Sequence, residues 1–365
     1  MIPQASPGLQ YRRHQAEIDA AIARVLQSGW FILGPEVEAF ESEFAAFCGA
    51  ERCVGVGSGT DAIRLALLGL GIGAGDEVIV PAHTAVATVA AVERAGATPR
   101  LVDIEPDTYA IDPGAAAAAV TPLTRAIIAV HLYGQPANLG ALHEVAASRG
   151  LALVEDCAQA HGACWQGKRV GALATVGCFS FYPTKNLGAL GDGGAVVTRD
   201  VALAERVALL RQYGWEQRNR SSVTGDNSRL DEIQAAVLRA KLRALEPDTV
   251  ARQQIASAFG TGLQDVVDPP VTRPGATHVY HLYVLALDDR DGARQRLETA
   301  GVGTAVHYPY PIHLQPAYEG RIGRRGEFPV AERACTRVVS LPLYPGLDPA
   351  QVDRIVSGVR QAVRR

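Results

Sequence analysis

Long apolar runs, paired cysteines and an excess of either charge are all missing from this sequence. The longest apolar stretch, Val78 to Val92, is broken by Pro81 and His83 and is too short to cross a bilayer. The opening residues, MIPQASPGLQYRRHQ, lack the apolar core of a signal peptide. Six cysteines (Cys48, Cys53, Cys157, Cys164, Cys178 and Cys335) form no C-x-x-C pair and no metal-ligand spacing. Reduced thiols and no metal site are expected. Cys157 adjoins an acidic pair and could be reactive, but its apolar neighbours Val154 and Ala158 favour a packed thiol. The formal net charge is only −3, which gives no global pull toward nucleic acid or an anionic membrane. A cytoplasmic protein acting on small molecules is the expectation.

What is present is a large core. The 365 residues are 48% hydrophobic and 20% charged, enough for two domains or one large one. Apolar runs at 52–56, 77–80, 98–104, 125–130, 151–156, 176–182 and 194–198 read as strands. Helical patterns lie between them, at 61–70, 84–96 and 138–150, and AAAAAV (115–120) reads as a short exposed helix. Nearly continuous apolar strands alternating with helices predict an α/β fold, with a mostly parallel sheet covered on both faces. Helices are expected at 206–214 and 230–245. Near Glu246-Pro247 the pattern changes to a long helix, an apolar run at 278–287 and helices at 290–300 and 350–363. The expected division is a large domain over 1–246 and a smaller α/β domain over 247–365.

In such sheets ligands bind beyond the carboxyl ends of the strands. GSGT (57–60), PAHT (81–84), HLYGQ (131–135), EDCAQAHG (155–162) and Ser180 with Lys185 all fall there. Lys185 is the only charged residue between Arg169 and Asp192. Desolvation lowers a lysine's pKa, and a neutral amine attacks carbonyls to form a Schiff base; a plain loop lysine is the other reading. The turn Gly57–Thr60 is either a phosphate cradle at a helix N-terminus or a tight turn capped by Ser58 or Thr60. Two further glycine patterns fail. Gly69, Gly71 and Ala74 match a loose G-x-G-x-x-A in the wrong context, and Gly162–Lys168 lacks the Ser or Thr of a P-loop. Asp156 at a strand end is either a helix cap or ion-pair partner, or a carboxylate that holds a protonated ring nitrogen. A lysine, a phosphate cradle and such a carboxylate are together the parts that pyridoxal 5′-phosphate needs.

The chain resembles the sugar aminotransferases of the DegT/DnrJ/EryC1/StrS family, fold-type I pyridoxal phosphate enzymes. The likeness runs through SGWFILGPEVEAFE (28–41), GSGTDAIRLAL (57–67), GDEVIVPAHT (75–84), EDCAQAHGA (155–163), SFYPTKNLGALGDGGAVVT (180–198), NSRLDEIQAAVL (227–238) and HYPYPIHLQPAY (307–318). The resemblance implies an aspartate-aminotransferase-like fold. It implies that Lys185 carries the cofactor covalently, Asp156 pairs with the ring nitrogen and Gln159 sits near the ring's 3′ oxygen. Ser180 and the backbone at Gly59 and Thr60 would hold the phosphate. Asn227 would reach the phosphate from the second subunit of a homodimer; a helix N-cap is the alternative. His307 and Tyr308 would line the sugar-nucleotide pocket, or simply pack in a loop. Trp30 would touch substrate, the core or the partner subunit. One position departs from the pattern: Ala85 stands where the family usually has an aromatic residue stacked on the ring, which leaves either His83 as a partial replacement or a ring face covered in another way.

The implied reaction is ping-pong amino transfer from L-glutamate, with Lys185 as general base and pyridoxamine phosphate in the cycle. The acceptor would be a dTDP- or UDP-linked keto-sugar. HLYGQPANLG (131–140), LRQYG (210–214) and NLGALGDGG (187–194) look more like the branch that aminates 3-keto-6-deoxyhexoses than the 4-keto branch. A keto-cyclitol acceptor would share the cofactor residues. A related dehydratase carries His in place of Lys185. A non-catalytic regulatory homologue would be expected to lose Lys185 or add a DNA-binding segment.

Overall fold

The computed structural model describes residues 1–363. Seven strands form the central sheet: β1 (Arg52–Val56), β2 (Glu77–Pro81), β3 (Thr98–Val102), β4 (Thr124–Val130), β5 (Ala152–Asp156), β6 (Val176–Ser180) and β7 (Gly194–Thr198). Their order across the sheet is β1-β7-β6-β5-β4-β2-β3. Only β7 runs antiparallel to its neighbours, so β1 to β6 end at one edge. Ile79, Ile127, Leu153 and Val197 face one helical layer, and Val78, Ile128, Val154 and Val196 the other. Burial on both faces explains why these strands read as continuous apolar runs.

The expected helices are present with small shifts at their ends, but the one expected to be exposed at 115–120 spans Pro113–Ala118 and buries Ala116 in the core. The stretch expected at 206–214 is a helix over Val201–Leu210, because Asp200 caps it through the amide of Leu203 and the chain turns at Gly214, whose φ is +69°. The helix expected at 230–245 spans Glu232–Leu242. Beyond it, the helix Leu245–Leu263 packs with Tyr283–Ala286, Val338–Leu341 and the helix Pro349–Val363 in a separate core built on Phe259, Tyr283 and Ile355. The start of the chain joins that core: Ile2 is buried, donates its amide to Gly301 O at 2.8 Å and accepts from Gly303 N at 2.8 Å. Thus residues 1–9 strap the C-terminal unit, although sequence places them far from it.

Candidate active site

Strand alternation sends consecutive residues to opposite faces. At the end of β5 this separates Glu155 from Asp156. Asp156 is buried; its Oδ2 accepts from Thr88 Oγ1 at 2.9 Å and its Oδ1 from Ala158 N at 3.1 Å. Burial raises its pKa, against the opposing pull of Ala158, Thr88 and Lys185. No arginine or lysine forms an ion pair with it among the described residues. Such a carboxylate has capacity left for a cationic N–H.

Lys185 follows β6 in a turn closed by Lys185 N on Tyr182 O at 2.8 Å. The side chain is half-buried, and desolvation pulls its pKa down to about 8 while Asp156 pulls the other way. At neutral pH a usable fraction of the amine is therefore neutral.

At the end of β1, Ser58 caps the helix Gly59–Gly69, its Oγ accepting from Asp61 N at 3.1 Å. The cap does not exclude a cradle, since the amides of Gly59 and Thr60 have no partner inside the helix. Gly59 lies against Ser180: a Cβ there would come within 2.5 Å of Ser180 Cβ. Ser228 secures the turn by accepting from Gly57 N and donating to Asp61, both at 3.0 Å. Asn227 precedes it on an exposed loop and caps no helix, because the next one begins only at Glu232 with Asp231 before it.

Gln159 bridges two segments. Its Oε1 accepts from Tyr133 N at 2.7 Å and its Nε2 donates to Tyr308 Oη at 3.0 Å. Burial pushes the Tyr308 phenol up to about 12, so it stays a donor. The phenol of Tyr133 donates to His307 O, and His307 Nδ1 bonds Ser340 Oγ at 2.8 Å. Burial, then Lys185, lowers the His307 pKa to about 4, so its ring is neutral. Gln159 and Tyr308 are thus directly bonded, while Lys185 reaches Asp156 and His307, and Asp156 reaches Tyr308, through charge alone.

Ala85 precedes the helix Val86–Arg94 and offers no ring. His83 does not act as a free substitute: its Nε2 is bonded to Tyr133 Oη at 2.7 Å and its Nδ1 contacts Cys335 Sγ at 3.2 Å. Its pKa falls to about 4 through burial. Trp30 is exposed, with its indole N–H on Ile32 O at 2.7 Å. Cys157 is fully buried, and burial pushes its thiol well above the ordinary range, as a packed thiol requires.

Sequence reasoning missed several supports. Thr88 fixes Asp156 from 68 residues away. Glu232 accepts from the amides of Gly34, Glu36 and Val37 at 2.8–2.9 Å and so sets the loop bearing Trp30. Its signal lay within NSRLDEIQ, but the partner is some 198 residues distant. His131, Glu155 and Cys157 bring potential ligand atoms within 4.8 Å of one another. Glu155 already accepts from His131, Gly171, Leu173 and Ala174, and His131 Nδ1 accepts from Ala137 N, so the cluster is a brace.

These residues fit pyridoxal phosphate: an under-partnered buried carboxylate, a desolvated lysine and a glycine cradle that a Cβ would fill. The model of the DegT/DnrJ/EryC1/StrS aminotransferase family matches residues 12–360. The Saccharopolyspora erythraea protein named erythromycin biosynthesis sensory transduction protein EryC1 is 52% identical over 96% of both chains. The dTDP-3-amino-3,4,6-trideoxy-alpha-D-glucose transaminase of Streptomyces venezuelae is 50% identical, covering 97% of this chain and 94% of the relative. The crystal structure of S. venezuelae DesV in complex with a ketimine intermediate superposes with a TM-score of 0.98 at 49% identity, covering 100% of this chain and 99% of the other.

Proposed function

From the premise that the chain belongs to the DegT/DnrJ/EryC1/StrS aminotransferase family, whose members use pyridoxal phosphate, we propose that it aminates a nucleotide-linked keto-sugar at C3. The proposed donor is L-glutamate and the proposed acceptor a dTDP- or UDP-3-keto-6-deoxyhexose. The observation that carries the reading is Lys185, desolvated to a pKa of about 8 within the electrostatic reach of the buried Asp156. The half-identical S. venezuelae transaminase supports the position of amination.

In this reading Gly59, Thr60 and Ser180 bind the phosphate, and Asp156 holds the ring N–H. Gln159 orients the ring edge, fixed by Tyr133 and Tyr308. Pyridoxal phosphate, when bound, supplies the electron sink and carries the amino group between donor and acceptor. Lys185 Nζ, once free and neutral, takes a proton from the donor's α carbon and later returns one to the acceptor carbon. Burial of Asp156 keeps competing water from its carboxylate. His307 and Tyr308 form one wall of the acceptor pocket.

The reading includes a cytoplasmic homodimer in which Asn227 completes the partner's phosphate site. Exposed Trp30, Phe31, Ile32 and Leu190 gather beside the helix Glu232–Leu242, an apolar face suited to a second copy. The division near Glu246 belongs to the same reading. A binding or sensory role alone would leave the lysine, carboxylate and cradle without work.

The test is mass spectrometry of products from dTDP- and UDP-linked 3-keto and 4-keto sugars and free keto-cyclitols, with glutamate as donor. Amination of a 3-keto substrate is expected. Amination of 4-keto sugars only, or of free keto-cyclitols, would overturn the acceptor assignment.

A further inference from the structure

Beside Lys185 and His307 lies a small cavity whose other lining residues have no role above. It encloses about 50 Å³ between the N-terminal strap, the turn at 183–185, the helix Leu245–Leu263 and the segment 343–345. Ser6, Gln10, Lys185, Arg252, His281 and His307 supply its polar wall, and no aspartate or glutamate lines it. Its fixed cation is Arg252, 5% exposed. Nη1 donates to Tyr280 O at 3.2 Å and to Leu343 O at 3.0 Å. Among the described residues, Nε and Nη2 have no acceptor, and neither is sealed from solvent. The neighbouring Asp248 is engaged by Arg13 at 3.1 Å. His281 is anchored through Nδ1 on Asn186 Oδ1 at 3.3 Å and is kept neutral by burial, so it adds neither charge nor repulsion. A half-satisfied buried guanidinium facing a space without carboxylates favours an anion, and its planar fork suits a carboxylate.

We infer that this cavity receives a carboxylate of the amino donor, with Arg252 as its cation. The inference rests on the transaminase reading, because the cavity shares Lys185 with the proposed reaction. A carboxylate held here places the donor's amino group beside Lys185. The keto-sugar carries no carboxylate, and its nucleotide diphosphate is too bulky for a space of about 50 Å³. Discrimination between the two substrates would then arise from one buried charge.

The test is calorimetric titration of the holoenzyme with glutarate, a dicarboxylate that cannot react. Two variants are compared, Arg252→Gln and Ser6→Asp. The second adds a carboxylate to the wall and leaves the Arg252 bonds to Tyr280 and Leu343 intact, so it remains informative should Arg252→Gln fail to fold. Saturable binding by the unaltered protein, weakened about tenfold or more in Ser6→Asp, is expected; Arg252→Gln, where it folds, should weaken binding likewise. No binding by the unaltered protein, or unchanged affinity in Ser6→Asp, overturns the proposal. Glutarate binding without amino transfer from glutamate would refute the transaminase reading and leave the anion site standing.

Discussion

Glu155 and Asp156 stand side by side at the end of β5, both buried, on opposite faces of the sheet. Burial pushes the pKa of both upward. At Glu155 the hydrogen bonds of His131 and the amides of Gly171 and Ala174 outweigh burial and hold it below the ordinary range. At Asp156 burial wins, because only Thr88 and Ala158 donate to it. One carboxylate is saturated by the fold and ties two loops together, the one at His131 and the one at 171–174. The other is left short of partners beside a desolvated amine. An unmet electrostatic demand, more than burial or charge as such, separates a site from a brace.

The comparison can be broken on either face. The largest effect is expected from Lys185→Ala: turnover should fall by roughly 10⁴-fold or more and the cofactor's absorbance band should be lost, as steady-state kinetics and spectra would report. A variant keeping both would remove Asp156's face from the chemistry. Next comes Asp156→Asn, which should cost about a hundredfold in turnover with little change in melting temperature.

Glu155→Gln should show the reverse, a loss of about 3 kcal/mol in stability by denaturant titration, because it breaks a saturated buried network. Linkage sharpens this contrast. A carboxylate with a lowered folded pKa binds fewer protons folded than unfolded, so stability rises as pH climbs through its ordinary value of 4.5. That gain is lost on acidification through the folded pKa. The acid limb of melting temperature against pH should therefore flatten in Glu155→Gln. Asp156, raised when folded, has the opposite sign: its unfavourable contribution grows as pH rises above 3.8. Asp156→Asn should remove that penalty and steepen the net rise.

A subtler effect concerns the amine. In cofactor-free protein, modification of Lys185 by an amine reagent should titrate near pH 8, and lower still in Asp156→Asn, because Asp156 raises the lysine's pKa. A midpoint near the ordinary lysine value would show the amine to be solvated. Smallest is Ala85→Tyr, for which cofactor affinity by absorbance titration should rise about two- to tenfold through ring stacking. Unchanged affinity would mean the ring face is already covered.

The same comparison marks what the sequence made legible. The strands, and Lys185 with Asp156 at their ends, could be read because doubly buried strands are continuous apolar runs and ligands gather at their carboxyl edge. Thr88 could not be assigned to Asp156, nor Glu232 to the amides at 34–37, because these partners meet only after folding, 68 and up to 198 residues apart. His83 read as a spare ring, yet its contact with Cys335 spans 252 positions. Arg252 carried no motif at all; its meaning comes from the empty space beside it.

The strap at Ile2 has a practical consequence. Its amide and carbonyl pair with Gly301 and Gly303, so this segment waits for some three hundred later residues before it can settle. Loop closure of that span slows folding. A tag fused beside Ile2 would load this late-closing seam and the mouth beside Ser6. A purification handle therefore belongs away from this seam.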